Sequence, residues 1–266
     1  LMPRPNILYL HSHDTGRYIQ PYGYAVRTPR LQRLAEEGVL FRQAFCANPT
    51  CSPSRAALLT GMWPHNNGMI GLAHRGARLN DYTQHLACVL SHNGYHSALS
   101  GVHHEIDNRE RHLLGYDEFL DEPVSGGNYL EHQRDFARRA ARVLARRHDK
   151  PFFLSCGFGL THRTGAGTQW FNDAESPLGD PRYARPPAPL PDTPETRRDF
   201  ADFCVAAERL DGCIGIVLDA LDAAGLADNT LVICTTDHGI AFPFMKCNLL
   251  DHGIGVMLIL RGPGGF

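Results

Sequence analysis

The chain has 266 residues, 43% of them hydrophobic and 20% charged, with a formal net charge of −2 at pH 7. That length supports one substantial core and excludes several ordinary domains. The near-neutral balance argues against nucleic acid as a partner. No apolar run approaches the roughly 18 residues of a membrane span, so a membrane is not an expected partner either.

Leu1-Met2-Pro3-Arg4-Pro5 leads directly into a strand with no charged and apolar leader, so no signal peptide is visible and a cytoplasmic location is expected. Asn6-Ile7-Leu8-Tyr9-Leu10 is a short apolar run ending in His11-Ser12-His13-Asp14. It reads as a buried strand that delivers polar side chains at its C-terminal end. A helix is predicted from Pro29 to Glu37, closed by Gly38. Pro53 suits a first helical turn, and Ala56-Ala57-Leu58-Leu59 carries that helix to Gly61. Residues 82–93 read as helix and His96 to Ser100 as strand. Residues 129–148 read as a further helix, on which Arg138, Arg139, Arg142, Arg146 and Arg147 form a solvated face.

Pro151 to Phe158 is a second buried strand, followed by His162. Seven prolines from Pro177 to Pro194 mark an extended surface connection. The insert from Trp170 to Arg185 is either plain surface loop or the lining of a ligand site. Thr193 is a plausible N-cap with Pro194 just inside. Phe203, Ala207, Leu210, Ile214 and Val217 then step by three and four along an amphipathic helix. Thr230 to Thr236 is a third buried strand, ending in Asp237-His238-Gly239, and Gly255 to Leu260 is a fourth. Strands alternating with helices predict an α/β fold, a sheet covered on both faces, with ligands outside the carboxyl ends of its strands.

The eight cysteines are scattered and show no zinc-type pairing. Cys88, Cys156, Cys204 and Cys234 sit among apolar neighbours and read as reduced core residues. Cys51 is different, because it opens a helix with Arg55 one turn later. The helix dipole and that cation are expected to make the thiol more acidic. A buried, inert thiol at a helix start is the alternative.

Cys51-Ser52-Pro53-Ser54-Arg55, followed by Leu58-Leu59-Thr60-Gly61, resembles the signature of the type I sulfatases. Arg4-Pro5-Asn6-Ile7-Leu8, Leu190-Pro191-Asp192-Thr193-Pro194 and Thr236-Asp237-His238-Gly239 extend the resemblance along nearly the whole chain. It implies an alkaline-phosphatase-like α/β sandwich with a mostly parallel central sheet. Residues 1–266 would form the N-terminal catalytic domain of a protein whose smaller C-terminal subdomain is missing here.

It also implies that Cys51 is oxidised to formylglycine by a maturation enzyme. One hydroxyl of the aldehyde hydrate then attacks sulfur, and the other loses its proton to expel sulfate. On this resemblance Arg55 holds the hydrate. His13, Asp14, Cys51, Asp237 and His238 surround a divalent cation, Ca2+ by family expectation. His104, His162 and Lys246 bind sulfate or protonate the leaving group. A loop histidine and an exposed lysine are the plainer readings of His162 and Lys246.

Two positions depart from the family pattern. His13 stands where a second acid is usual, and imidazole suits softer ions than calcium. Val102 replaces a sulfate-binding lysine in Gly101-Val102-His103-His104, leaving His103, Arg75 or Arg17 to compensate. Asn66 to Leu72 and Gly239-Ile240-Ala241-Phe242-Pro243 resemble the N-sulfoglucosamine sulfohydrolase (heparan N-sulfatase) branch. The expected activity is hydrolysis of a sulfate ester or sulfamate on a sugar. The alternatives are a phosphonate monoester hydrolase or phosphodiesterase of the same superfamily, and a non-catalytic anion-binding relative.

Overall fold

The computed structural model describes residues 4–120, 128–164, 171 and 178–264. Its strands are β1 (Asn6–Ser12), β2 (Val39–Leu40), β3 (Ala44–Phe45), β4 (His96–Gly101), β5 (Glu118–Phe119), β6 (Phe152–Gly157), β7 (Thr230–Thr236), β8 (Gly255–Val256) and β9 (Leu258–Arg261). Its helices are α1 (Pro29–Glu36), α2 (Cys51–Thr60), α3 (Pro64–Asn67), α4 (Leu86–His92), α5 (Tyr129–Leu144), α6 (Pro194–Ala223) and α7 (Asp251–Ile254).

β1 is buried on both faces. Leu8 and Leu10 pack into one apolar cluster with α1, α5 and α6, whereas Tyr9 packs into another with Leu59 of α2 and Ala87 of α4. This alternation places helices on both sides of the sheet. β1 runs parallel to β6 on one edge and to β7 on the other. The seven-stranded order is β2-β9-β7-β1-β6-β4-β5, parallel from β7 to β5.

The expected fourth strand is divided. β8 pairs antiparallel with β3 in a separate two-stranded sheet, and β9 runs antiparallel to β7 in the main one. Met257 between them donates its N–H to Gly16 O instead of to a strand, and that bond breaks the run.

α6 fully buries Phe203, Ala207, Leu210, Ile214 and Val217, each large apolar side chain contributing about 1.5–3 kcal/mol relative to exposure. Its start carries the expected Thr193 cap, here in a capping box with Thr196. Asp211 on the same helix accepts the N–H groups of Arg30 and Leu31, at 3.1 and 2.8 Å. It thereby caps α1, whose own Thr28 makes no side-chain cap, and ties the two helices together.

Residues 82–93 form a short 3-10 turn before α4, and α5 ends at Leu144 rather than at residue 148. Arg139 is not part of a solvated face. It is buried, paired with Asp135 and hydrogen-bonded to Leu120 O, because α5 turns it toward the end of β5. Cys156 and Cys234 are buried, Cys88 and Cys204 half-buried, and all four are free thiols. Of the insert from Trp170 to Arg185, residues 170 and 172–177 lie outside the described residues. No helix among the described residues is long and apolar enough to cross a membrane.

Candidate active site

The parallel register sets two strand ends side by side. Ser12 pairs with Thr236, so His13-Asp14 and Asp237-His238 leave the sheet as neighbours. Asp14 turns there with φ of 57°, a conformation that costs a non-glycine residue energy and is held here by its partners. Its own N–H donates to Asp237 Oδ1 at 2.9 Å, as does the N–H of His238. The N-terminus of α2 points at the same place. Ser54 Oγ donates to the Asp237 carbonyl, fixing the helix start against the end of β7.

His13, Asp14, Cys51, Asp237 and His238 are all buried and offer donor atoms within 4.8 Å of one another. His238 Nδ1 donates to Gly239 O at 3.0 Å, which leaves Nε2 with its lone pair inward. That nitrogen lies 3.2 Å from Asp14 Oδ1, 3.7 Å from Asp237 Oδ2 and 3.4 Å from Cys51 Sγ. A lone pair facing two carboxylates in a dry site is unfavourable without a positive charge between them, and this donor set fits a divalent cation. His13 Nδ1 lies 2.8 Å from Asp14 and 3.2 Å from Asp237, bridging the carboxylates at hydrogen-bond distance. As a metal ligand it would carry its proton on Nε2, which faces His104 Nδ1 at 3.2 Å.

Fixed cations surround this cluster. Arg55 is 2% exposed and donates to Ser12 O at 2.8 Å, Asp237 Oδ2 at 3.0 Å and His11 Nδ1 at 2.5 Å. Its Nε has no acceptor among the described residues. Lys246 Nζ reaches Asp14 Oδ2 at 2.6 Å from the half-exposed rim. Burial alone would raise the Asp14 carboxyl, but His13 and His238 hold it well below the usual range. Burial pushes His13 down to about 4 against the pull of Asp237 and Asp14, so it is neutral at pH 7.

The expectation of an acidic Cys51 is overturned. Burial first, then Asp237 and Asp14, pushes the thiol above its ordinary value, outweighing Lys246 and Arg55. Burial, reinforced by the two strand-end carboxylates, outweighs the dipole and the nearby cations and favours the protonated thiol.

His104 and His162 stand on the open side of the cluster. His104 sits at φ of 70° and contacts His13, while His162 Nε2 lies 3.8 Å from Asp14 Oδ2. Both line a cavity of about 570 Å³, together with Val102. Of the residues considered as substitutes for a cation at position 102, His103 is buried and bonded to Asn108. Arg17 donates to Ala44 O and stacks on Phe45. None of these, nor Arg75, lines this cavity, and Lys246 is the lysine that enters the cluster.

Two supporting residues were not singled out from the sequence. His11 lies two positions before His13 on the same strand face, so alternation alone predicts that it points toward the α2 side. Ser54 lies inside the pentapeptide already quoted.

The chain matches the sulfatase family over residues 5–266. It is 34% identical to N-sulphoglucosamine sulphohydrolase of Homo sapiens over 97% of this chain and 55% of that protein. It is 30% identical to an ulvan-active sulfatase of Formosa agariphila, over 99% of this chain and 48% of that one. A solved sulfatase from a Pseudoalteromonas species shares 19% identity and a TM-score of 0.73, over 98% of this chain and 62% of the other. That likeness concerns the fold, which is the alkaline-phosphatase-like architecture of the sulfatases. The chain spans about half the length of the curated relatives it matches.

Proposed function

The chain belongs to the sulfatase family, and on that premise we propose that it hydrolyses a sulfate ester or sulfamate borne by a sugar, through a formylglycine made from Cys51. The observation that carries this reading is the buried cluster of two carboxylates, two imidazoles and Cys51, with Arg55 and Lys246 bonded to its acids. The relatives' names support sulfated saccharides as the substrate class.

A hydrated formylglycine at position 51 supplies an oxygen nucleophile toward sulfur and a second hydroxyl whose deprotonation frees sulfate. Asp14, Asp237 and His238 would hold a divalent cation, which supplies Lewis-acid stabilisation of developing negative charge. Calcium is the ion proposed from the family, a softer divalent ion being the alternative that the His238 imidazole favours, with His13 kept as an N–H donor between the carboxylates.

Arg55 is one helical turn from residue 51 and keeps its Nε for an oxygen placed there. His162 donates from Nδ1 to Arg163 O, which orients Nε2 toward the cavity to hold or release the leaving-group proton. His104 lines the same cavity, Lys246 reaches Asp14 at the edge of the cluster, and the two bind the sulfate charge. Cys51 is only 6% exposed, so the proposed formylglycine-generating enzyme must meet the pentapeptide before folding encloses it.

The test is turnover of an aryl sulfate against an aryl phosphonate and a phosphodiester, using protein co-produced with a formylglycine-generating enzyme. Preferential release of sulfate, lost in Cys51→Ala, is expected. Turnover favouring the phosphonate or diester, or full activity with an unconverted thiol, overturns the reading.

A further inference from the structure

The wall of the cavity opposite the catalytic cluster is a single helical stripe. Tyr129, His132, Gln133 and Phe136 of α5 all line it, at spacings of three, four and seven, so they share one face of the helix. This stripe is pressed against the strand-end turns. Gln133 is buried, and its Oε1 accepts the Gly159 N–H at 2.6 Å. A Cβ on Gly159 would sit 2.3 Å from the Tyr129 hydroxyl, and one on Gly101 would sit 2.9 Å from the Phe136 ring. The two glycines therefore permit the approach, and they hold the side chains of α5 at a set distance from His104 and His162.

The chemistry of the wall is divided. Val102 and Phe136 offer apolar surface, while Tyr129 and His132 offer a hydroxyl and an imidazole. All four are half-buried and open to the cavity. A pyranose has the same division, with axial C–H groups on its faces and hydroxyls around its rim. A cavity of about 570 Å³ is within the range that encloses a small organic ligand. A simple aryl group would meet only the apolar half of this wall.

Resting on the sulfatase reading above, we infer that the α5 stripe is the saccharide-recognition wall. Tyr129 and His132 bond hydroxyls of the pyranose that carries the sulfate, and its apolar face lies on Val102 and Phe136. Val102 then has a role of its own: it supplies apolar contact to the ring where a lysine would compete for the sulfate. Tyr129 and His132 are specificity-determining residues, since they discriminate among leaving groups and take no part in breaking the S–O bond.

Tyr129→Phe and His132→Ala are compared with the unsubstituted protein on N-sulfated or O-sulfated glucosamine and on an aryl sulfate. Loss of one hydrogen bond of ordinary strength is expected to raise KM for the saccharide roughly five- to tenfold in each variant, with a smaller change in kcat. The loss on the aryl sulfate is expected to be several-fold smaller. Tyr129→Phe retains the packing on Gly159, so it reports recognition even if His132→Ala folds poorly. Equal losses on both substrates, or none on the saccharide, overturn the inference. Turnover of the aryl sulfate with none of either saccharide overturns it while leaving the sulfatase reading standing. Turnover of no sulfate at all removes both.

Discussion

Lys246 places its Nζ 2.6 Å from Asp14 Oδ2, joining the loop after β7 to the end of β1 across 232 positions of sequence. No short-range pattern predicts such a pair, and it delivers a compact cation to the edge of the carboxylate cluster. Lys246→Met is expected to lower kcat/KM for an aryl sulfate by roughly 10²- to 10³-fold, as loss of one preorganised charge-stabilising donor does elsewhere. Lys246→Arg should recover part of the loss. Steady-state kinetics on the three proteins decides the matter, and an unchanged kcat/KM in Lys246→Met would exclude the lysine from catalysis.

Removal of divalent cation should lower stability as well as activity. Asp14 and Asp237 lie side by side in a dry site, and any ion that binds the native state alone stabilises it by about 2.7 kcal/mol at a hundred times its Kd. Chelation should lower Tm, and calcium should restore it. His238→Ala is expected to weaken that recovery, because it deletes the inward lone pair of Nε2. A Tm indifferent to chelator and calcium would count against a cation site.

Glu105 gives the site an alkaline limit. Burial raises its carboxyl from the usual 4.5 to about 8, despite the nearby Arg55 guanidinium, and His103 Nδ1 lies 3.7 Å away. Between those two pH values the unfolded chain ionises this group while the native chain keeps its proton. Its contribution to stability is therefore complete below about pH 4.5 and is lost as pH rises through about 8. Glu105→Gln should remove that slope. The variant should be more stable than the parent at pH 9, by on the order of a few kcal/mol, with the difference vanishing near pH 5. Urea midpoints across pH would show it, and parallel curves would contradict it.

Gly157 closes β6 where the sheet turns toward the site. A Cβ there would lie 2.0 Å from Val102 O and 2.4 Å from the ring of His11, neither of which has room to withdraw. Gly157→Ala is expected to cost about 3 kcal/mol or more, with a fall in Tm of roughly 10 °C. Calorimetry checks this directly, and a Tm within a degree or two of the parent would show that the strand end yields.

The strands that position the site were legible in the chain itself. Apolar runs ending in His11-Ser12-His13-Asp14 and Asp237-His238-Gly239 locate β1 and β7, because period and composition respond to burial on both faces. The Thr193 cap and the stepped apolar residues of α6 were local signals too, and local structure followed them. The residues named for the cluster also come from linear motifs at strand and helix ends.

Tertiary structure decided what depends on approach between distant segments. The acidity of Cys51 reversed because packing buries it and sets Asp237 and Asp14 beside it, relations absent from the pentapeptide. Arg139 went inward because α5 docks with that side toward β5, and the run from Gly255 to Leu260 divided because Met257 bonds to Gly16. The cavity wall of α5 was read only as a helix, since its meaning rests on which side meets His104 and His162. Local periodicity reports whether a residue is buried. Which charges and side chains share that burial is set by long-range packing, and at this site that sharing determines the chemistry.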